Sequence, residues 1–316
     1  MSLAETGFKV LQPGLLTLIQ DAGRFGYHRI GLTNGGPLDM ASFRWANQLC
    51  GNPEGTTALE VSIGGLVMEA QLDTYFAVTG ANLPLKVNGV ELEGWQTHAI
   101  KAGDRIELGF TQAGARAYLA VAGGFSIPVS FASSATVTRE GIGGLTGDKL
   151  QQGDFLPCAP HATKAMYRLA AAYRPSFSQQ ETLRLVLGYQ HASFDNVQKR
   201  LFFSSEYRLT DRADRMGFRL EGQAVRSSLT GILSEGICHG AVQIPADGQP
   251  IVLLNDRQTI GGYPKIGSVI SLDTAKLSQL LPGSCIHFEE VSIEQSHNLI
   301  CLAAHRFANT PLERIA

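Results

Sequence analysis

Charge is scarce in this 316-residue chain: Asp, Glu, Lys and Arg together make up 17%, and they balance to a net −2. That balance leaves no basic face for a nucleic-acid backbone. Cysteine is sparse too. Cys50, Cys158, Cys238, Cys285 and Cys301 stand far apart, so neither a CxxC metal or redox signature nor a disulfide framework is expected. Reduced thiols fit a cytoplasmic setting, and the sequence shows no charged-then-apolar leader. The one uncharged stretch, Ala117 to Val137, is interrupted by Gly123, Gly124 and Pro128, which argues against a membrane span. There is no GxxxxGK[ST] phosphate loop, no GxSxG elbow, no GxGxxG turn, and no HxH or HExxH pair. A metal site is therefore not expected.

Hydrophobic residues make up 44% and there are 35 glycines. A chain so apolar and so rich in turn formers reads as globular and mainly β. Leu85-Lys86-Val87 running into Asn88-Gly89 is a hairpin signal. Residues 73–78, 105–108, 117–121, 241–245 and 250–254 read as further strands. Helices are expected over Leu38 to Leu49, after Gly36-Pro37, and over Leu272 to Leu281, capped by Ser271 and stopped at Pro282-Gly283. A third is expected around His161 to Tyr173.

The halves of the chain echo one another. Asp39-Met40 followed by Phe43 answers Asp214-Arg215-Met216-Gly217-Phe218, and at the same offset Glu60 answers Glu235. The simplest organisation is a duplication: domains at 5–125 and 180–292, a connecting arm at 126–179, and a C-terminal tail at 293–316.

Polar chemistry is concentrated in few places. Gln20-Asp21-Ala22-Gly23-Arg24 sets opposite charges on a glycine turn, either as a loop-fixing ion pair or as a ligand site. Asp211-Arg212-Ala213-Asp214-Arg215 is denser; its arginine forks suit carboxylate or phosphate oxygens, or else the four charges pair among themselves. Glu235 offers a further carboxylate. The richest segment is Asn255 to Ile266, where Asp256, Arg257, Gln258, Tyr263 and Lys265 surround Gly261-Gly262 at the end of an apolar strand. Polar side chains on a loop after a buried strand commonly meet ligands, and the glycines allow close backbone approach.

These segments resemble one family. Thr17-Leu18-Ile19-Gln20-Asp21-Ala22-Gly23-Arg24, Gly36-Pro37-Leu38-Asp39-Met40 and Tyr118-Leu119-Ala120-Val121-Ala122-Gly123-Gly124 are similar to its N-terminal and central signatures. Asp214-Arg215-Met216-Gly217 and Gln258-Thr259-Ile260-Gly261-Gly262-Tyr263-Pro264-Lys265-Ile266 are similar to its C-terminal ones. The family is the biotin-dependent carboxyltransferase-like group. It takes in allophanate hydrolase subunit 2 proteins, KipA, the C subunit of 5-oxoprolinase and the carboxyltransferase region of urea carboxylase.

The resemblance implies two cyclophilin-like β-barrel domains with few helices. It also implies the cytoplasmic C subunit of an ATP-dependent 5-oxoprolinase, in which a KipI-like B subunit and a third, ring-opening protein help turn 5-oxoproline into glutamate. ATP is the cofactor on that reading. Two others stand beside it: a carboxyltransferase or allophanate-hydrolase type of protein using biotin carried on another chain, and a non-enzymatic KipA-like regulator of a KipI-like partner. The chemistry places Lys265, Arg215, Asp214 and Tyr263 as catalytic residues. Glu235, Asp256, Arg257, Gln258, Gly261 and Gly262 would bind substrate, and no metal is implied. One departure stands out. Where relatives carry a Gly-Ser-Arg-Ser-Thr-like stretch, this chain reads Ala132-Ser133-Ser134-Ala135-Thr136, without the arginine.

Overall fold

The computed structural model describes residues 6–162, 165–229 and 231–316. The expected first domain begins at residue 5, just outside them. The chain forms two compact units. The first comprises Met1–Phe25, Gly35–Phe177 and Pro311–Ala316; the second comprises Gly26–Asn34 and Ser178–Thr310.

The fold is mainly β, as expected, with four α-helices among the described residues: α1 (Met40–Leu49), α2 (Asn196–Ser204), α3 (Ser271–Ser278) and α4 (Ile293–Asn309). The first unit carries two sheets. One runs Phe155–Pro157, Gly7–Pro13, Leu66–Ala70, Arg105–Leu108, Leu85–Val87, Val90–Leu92; the other runs Leu16–Gln20, Ala58–Ser62, Ala113–Val121, Thr74–Asn82, Thr97–Ile100. Their apolar residues, among them Phe8, Val10, Leu59, Met68, Phe76, Ile106 and Leu119, form one core. Residues 126–179 contribute Ile127, Leu150, Leu156 and Cys158 to it.

Helix α1 starts at Met40, two residues after the expected Leu38, because Asp39 accepts the Ser42 amide (3.1 Å) and hydroxyl (2.7 Å) as its cap. Phe43 and Ala46 then bury against Ala58, Tyr118 and Ala120. Glu60 lies fully buried beneath the helix start, where it accepts Leu38 N (2.9 Å) and the Tyr118 hydroxyl (2.8 Å). Burial, and then the charge of Glu60, raise the Tyr118 phenol pKa well above its ordinary value.

In the second unit seven strands close into a barrel: Gln180–Leu187, Lys265–Val269, Ala241–Gln243, Ile251–Leu253, Gly217–Gly222, Tyr207–Ala213 and Cys285–Glu290. The parallel pairing of Gln180–Leu187 with Cys285–Glu290 closes the ring. Closure removes the open sheet edge that would otherwise expose unpaired backbone groups. Helix α3 is tied to this barrel by Asp273. Its fully buried carboxylate takes Arg184 Nε and Nη2 at 2.7 Å each and the Arg184 amide at 2.8 Å.

Three expectations need correction. The matched pairs of the repeat are not equivalent: Asp39 caps a helix, whereas Asp214 sits in the turn between Tyr207–Ala213 and Gly217–Gly222. Likewise Glu60 is buried mid-strand, whereas Glu235 lies on a two-residue strand of a loop. Aspartate satisfies free amides at helix starts and in tight turns alike, so the short motif recurs without its context. What does recur is an order of elements. Helix α1, Ala58–Ser62 and Leu66–Ala70 are echoed by α2, Tyr207–Ala213 and Gly217–Gly222.

The segment around 161–173 is not an α-helix where it is described. It forms the strand Tyr167–Arg168, paired with Glu313–Arg314, and a 3-10 turn at Ala171–Tyr173, so tertiary pairing overrides alanine-rich propensity. Finally, the cap of α3 is Ile270, not Ser271, and it makes no side-chain cap bond.

Candidate functional site

The loop between Ile251–Leu253 and Lys265–Val269, with the segment 231–237 that pairs with it, carries most of the candidate residues. Glu235–Gly236 and Ile260–Gly261 form a two-stranded flap, extended by Ile232 N to Gly262 O (2.9 Å) and Ile237 N to Thr259 O (3.0 Å). The glycine pair permits it. A Cβ on Gly261 would come within 2.5 Å of Ile237 Cδ1 and 2.9 Å of Gln243 Nε2, and one on Gly262 within 3.0 Å of Ile232 O.

Lys265 opens its strand at a register shift opposite Val242/Gln243. Such irregularities re-aim a side chain relative to the ladder. Its ammonium pairs with the Glu235 carboxylate of the flap; the lysine side chain is 9% exposed and the glutamate 30%. Two residues that sequence reasoning passes over complete this cluster. Gln190 accepts Lys265 N through Oε1 (2.8 Å) and donates Nε2 to Glu235 Oε1 (2.8 Å). Tyr189, the other, stands beside the same carboxylate, 74% exposed, and its hydroxyl accepts Gln190 Nε2 (3.3 Å). The Lys265 hydrogen bond first, then that of Tyr189, holds the Glu235 carboxyl below its usual range. Reciprocally, Glu235 raises the Tyr189 phenol. Neither Tyr189 nor Gln190 has a signal in the sequence, because a short polar run after an apolar strand and Gly188 marks a turn as readily as a site.

Arg215 and Asp256 form a second, buried pair. Asp256 Oδ2 accepts Arg215 Nε (2.8 Å) and Oδ1 accepts Nη2 (3.1 Å), while Asp256 N donates to Arg215 O (3.0 Å). Arg257 is also buried and donates to the carbonyls of Ile237 (3.1 Å) and Leu254 (3.3 Å). Burial lowers its pKa, and burial plus the Arg257 charge push neighbouring His239 down to about 4. Cys238 sits beside this group, its Sγ 3.0 Å from Ser268 Oγ.

Asp214 is exposed and accepts Met216 N (2.8 Å) and Gly217 N (3.2 Å), which fixes the turn. Gln258 and Tyr263 are exposed on the flap loop. Thus the structure joins Lys265 to Glu235 and Arg215 to Asp256 as separate pairs, with Gln258 and Tyr263 at the rim and Asp214 at its own turn.

In the first unit, Asp21 and Arg24 do not face one another. Asp21 accepts the Ser133 hydroxyl (2.6 Å) and Ser134 N (2.7 Å); buried Arg24 donates to Ala135 O (2.8 Å) and Ser130 O (3.4 Å). Both clamp the stretch in which the expected arginine is missing. Ala132 there is held at φ +60°, a left-handed backbone that favours glycine.

Among the described residues no cluster of His, Cys, Asp and Glu could hold a metal ion, and no helix is long and apolar enough to cross a membrane. The cluster sets an ammonium and an amide against one carboxylate, with an exposed phenol beside them.

Comparison with known proteins agrees with the resemblance read from the sequence. The chain is 38% identical over 290 residues to the C subunit of 5-oxoprolinase from Escherichia coli, covering 91% of this chain and 92% of that one. It is 35% identical over 283 residues to the same-named protein of Haemophilus influenzae, covering 89% and 90%. The crystal structure of urea amidolyase from Kluyveromyces lactis superposes with a TM-score of 0.92 at 26% identity, over 98% of this chain and 20% of that one. The family model described as carboxyltransferase domain, subdomain A and B, matches residues 30–290, so the chain belongs to that carboxyltransferase-domain family.

Proposed function

We propose that this chain is the C subunit of an ATP-dependent 5-oxoprolinase, which opens the lactam of 5-oxoproline to give glutamate. The observation that carries the reading is its 38% identity, over 91% of its length, to a protein of that name. A lactam carbonyl resists water until its oxygen becomes a better leaving group, and phosphorylation by ATP supplies that activation. This chain's part is to hold an anionic substrate in place. Lys265 fits that part best, being the cation whose single carboxylate partner sits on a flap. Arg215 is committed to Asp256 and Arg257 to backbone carbonyls, which suits them to shaping the loop. The working enzyme on this reading needs a KipI-like B subunit and a third, ring-opening protein, all in the cytoplasm.

The likeness to urea amidolyase supports a second reading, carboxyl transfer from biotin on another chain. Co-expression with the KipI-like partner and the third protein separates the two. 5-Oxoproline-dependent phosphate release that avidin leaves untouched is the expected result. Turnover that requires bicarbonate and a biotinylated carrier would replace the first reading with the second. ATP hydrolysis only with urea or allophanate would overturn the substrate.

A further inference from the structure

We propose that Tyr189, Gln190 and Lys265 form a carboxylate-binding cradle, and that Glu235 fills it before substrate arrives, as an internal stand-in for the substrate's carboxylate. This rests on Lys265 being in the substrate site, as proposed above, and it names the substrate group the site receives.

The geometry points to it through an asymmetry. Lys265 belongs to the barrel, and the other two donors to a turn that leads out of it. Lys265 opens the strand Lys265–Val269, and Tyr189 and Gln190 stand in the 3-10 turn Tyr189–Ser193 that follows the strand Gln180–Leu187. Gln190 is oriented without help from Glu235, because its Oε1 is engaged by Lys265 N. An amide has one oxygen and one nitrogen, so Nε2 must then face the carboxylate position. The acceptor belongs to the flap, held there by a two-residue ladder and two flanking backbone bonds. Its surroundings are exposed apolar side chains, with Leu233 at 93%, Ile260 at 59% and Tyr263 at 48% exposure. Two donors that are held, Lys265 and Gln190, with the 74% exposed Tyr189 at their edge, around an acceptor that is lightly held describe a preorganised site with a removable occupant.

The arrangement also accounts for why a carboxylate is there at all. Lys265 is 9% exposed, and a cation so enclosed is costly without an anion beside it. Glu235 keeps the ammonium compensated until a ligand takes its place. An incoming carboxylate takes over the same donors, and Glu235 turns to solvent from a position already 30% exposed.

The test measures binding to the full-length chain by calorimetry with three probes: L-5-oxoproline, acetate, and 2-pyrrolidinone, which is the same lactam without a carboxylate. In Glu235→Gln, L-5-oxoproline and acetate should bind about fivefold tighter or more at pH 7, the size of a partly exposed ion pair removed from competition. 2-Pyrrolidinone should be unchanged. Adding Gln190→Leu or Tyr189→Phe should cancel the gain. Glu235→Ala serves as the second variant should the glutamine keep its neutral hydrogen bonds, and it should show the same gain. Weaker or unchanged carboxylate binding in both Glu235 variants would overturn the cradle, even if the reconstituted enzyme turns over 5-oxoproline. Conversely, a gain for acetate in a complex inactive on 5-oxoproline would leave the cradle standing and sink the assigned substrate.

Discussion

Replacing Lys265 by methionine isolates the charge from the packing. The thioether follows much of the lysine stem, and the stem lies in a position only 9% exposed. What disappears is the ammonium, which meets the Glu235 carboxylate before binding and, on the proposal above, the substrate carboxylate afterwards. A charge-assisted hydrogen bond contributes about 1.5–3 kcal/mol. That corresponds to a loss in kcat/KM of roughly 10- to 150-fold. Because the ammonium would grip the same carboxylate before and during reaction, the loss should fall on KM, with kcat nearly retained. Stability should move little. Glu235 keeps Gln190 Nε2, and its side chain is 30% exposed, so the lost pair should cost about 1 kcal/mol or less. The assay is steady-state phosphate release by the reconstituted complex, run beside a thermal melt of the same preparation. A kcat lowered about a thousandfold at unchanged KM would show an oxyanion role instead and refute the carboxylate reasoning. A deep fall in melting temperature with normal kinetics would make Lys265 a structural residue.

Asp273→Asn should destabilise the second unit by roughly 1.5–3 kcal/mol, since it removes the charge of a fully buried carboxylate from an Arg184 fork that is 21% exposed; denaturant unfolding measures it. Burial raises the Asp273 pKa, but its bonds to Arg184 more than offset that and hold it below the usual range, so the stability it confers is present at neutral pH and is lost as pH falls through the depressed value. His239 loses stability on the same side of neutrality. It is neutral in the folded chain with a pKa of about 4, whereas the unfolded chain takes up a proton near 6.5; stability is full above 6.5 and falls by up to about 3 kcal/mol as pH drops toward 4. His239→Gln should flatten that limb of a melting-temperature profile, and an unchanged profile would show that the histidine is not responsible. Ala132→Gly should stabilise the first unit by about 0.5–1 kcal/mol, the relief of a left-handed alanine less the added freedom of glycine when unfolded. A lower melting temperature would refute the strain.

The parts of the fold legible in the sequence are those fixed by local chemistry. Asn88 and Gly89 both take positive φ in the hairpin between Leu85–Val87 and Val90–Leu92. Gly51, at φ +70°, closes α1 where a left-handed residue is needed. Helix α4 lies within the expected tail, and its start is marked: Ser292 and Gln295 form a full capping box there. What local chemistry cannot show is which of two contexts a motif serves. Asp39 and Asp214 both satisfy backbone amides, one at a helix and one at a turn, and only the tertiary partners distinguish them.

The same limit explains the site. The density of polar residues from Asp256 to Lys265 draws attention to this loop, because a glycine pair and many polar types seldom gather without a reason. It does not show that most of those groups answer one another or the backbone. Arg215 is engaged by Asp256, Arg257 by carbonyls, and Glu235 by Lys265. A buried charge in a folded chain nearly always has a partner, so the informative question is which partner can leave. Asp256 is itself 4% exposed and has no direct route to solvent. Glu235 can leave, because it reaches Lys265 from a short flap and already borders solvent. Gln190, with no mark in the sequence, acquires meaning only from that difference: anchored by Lys265 N, it is the donor that remains in place when Glu235 moves.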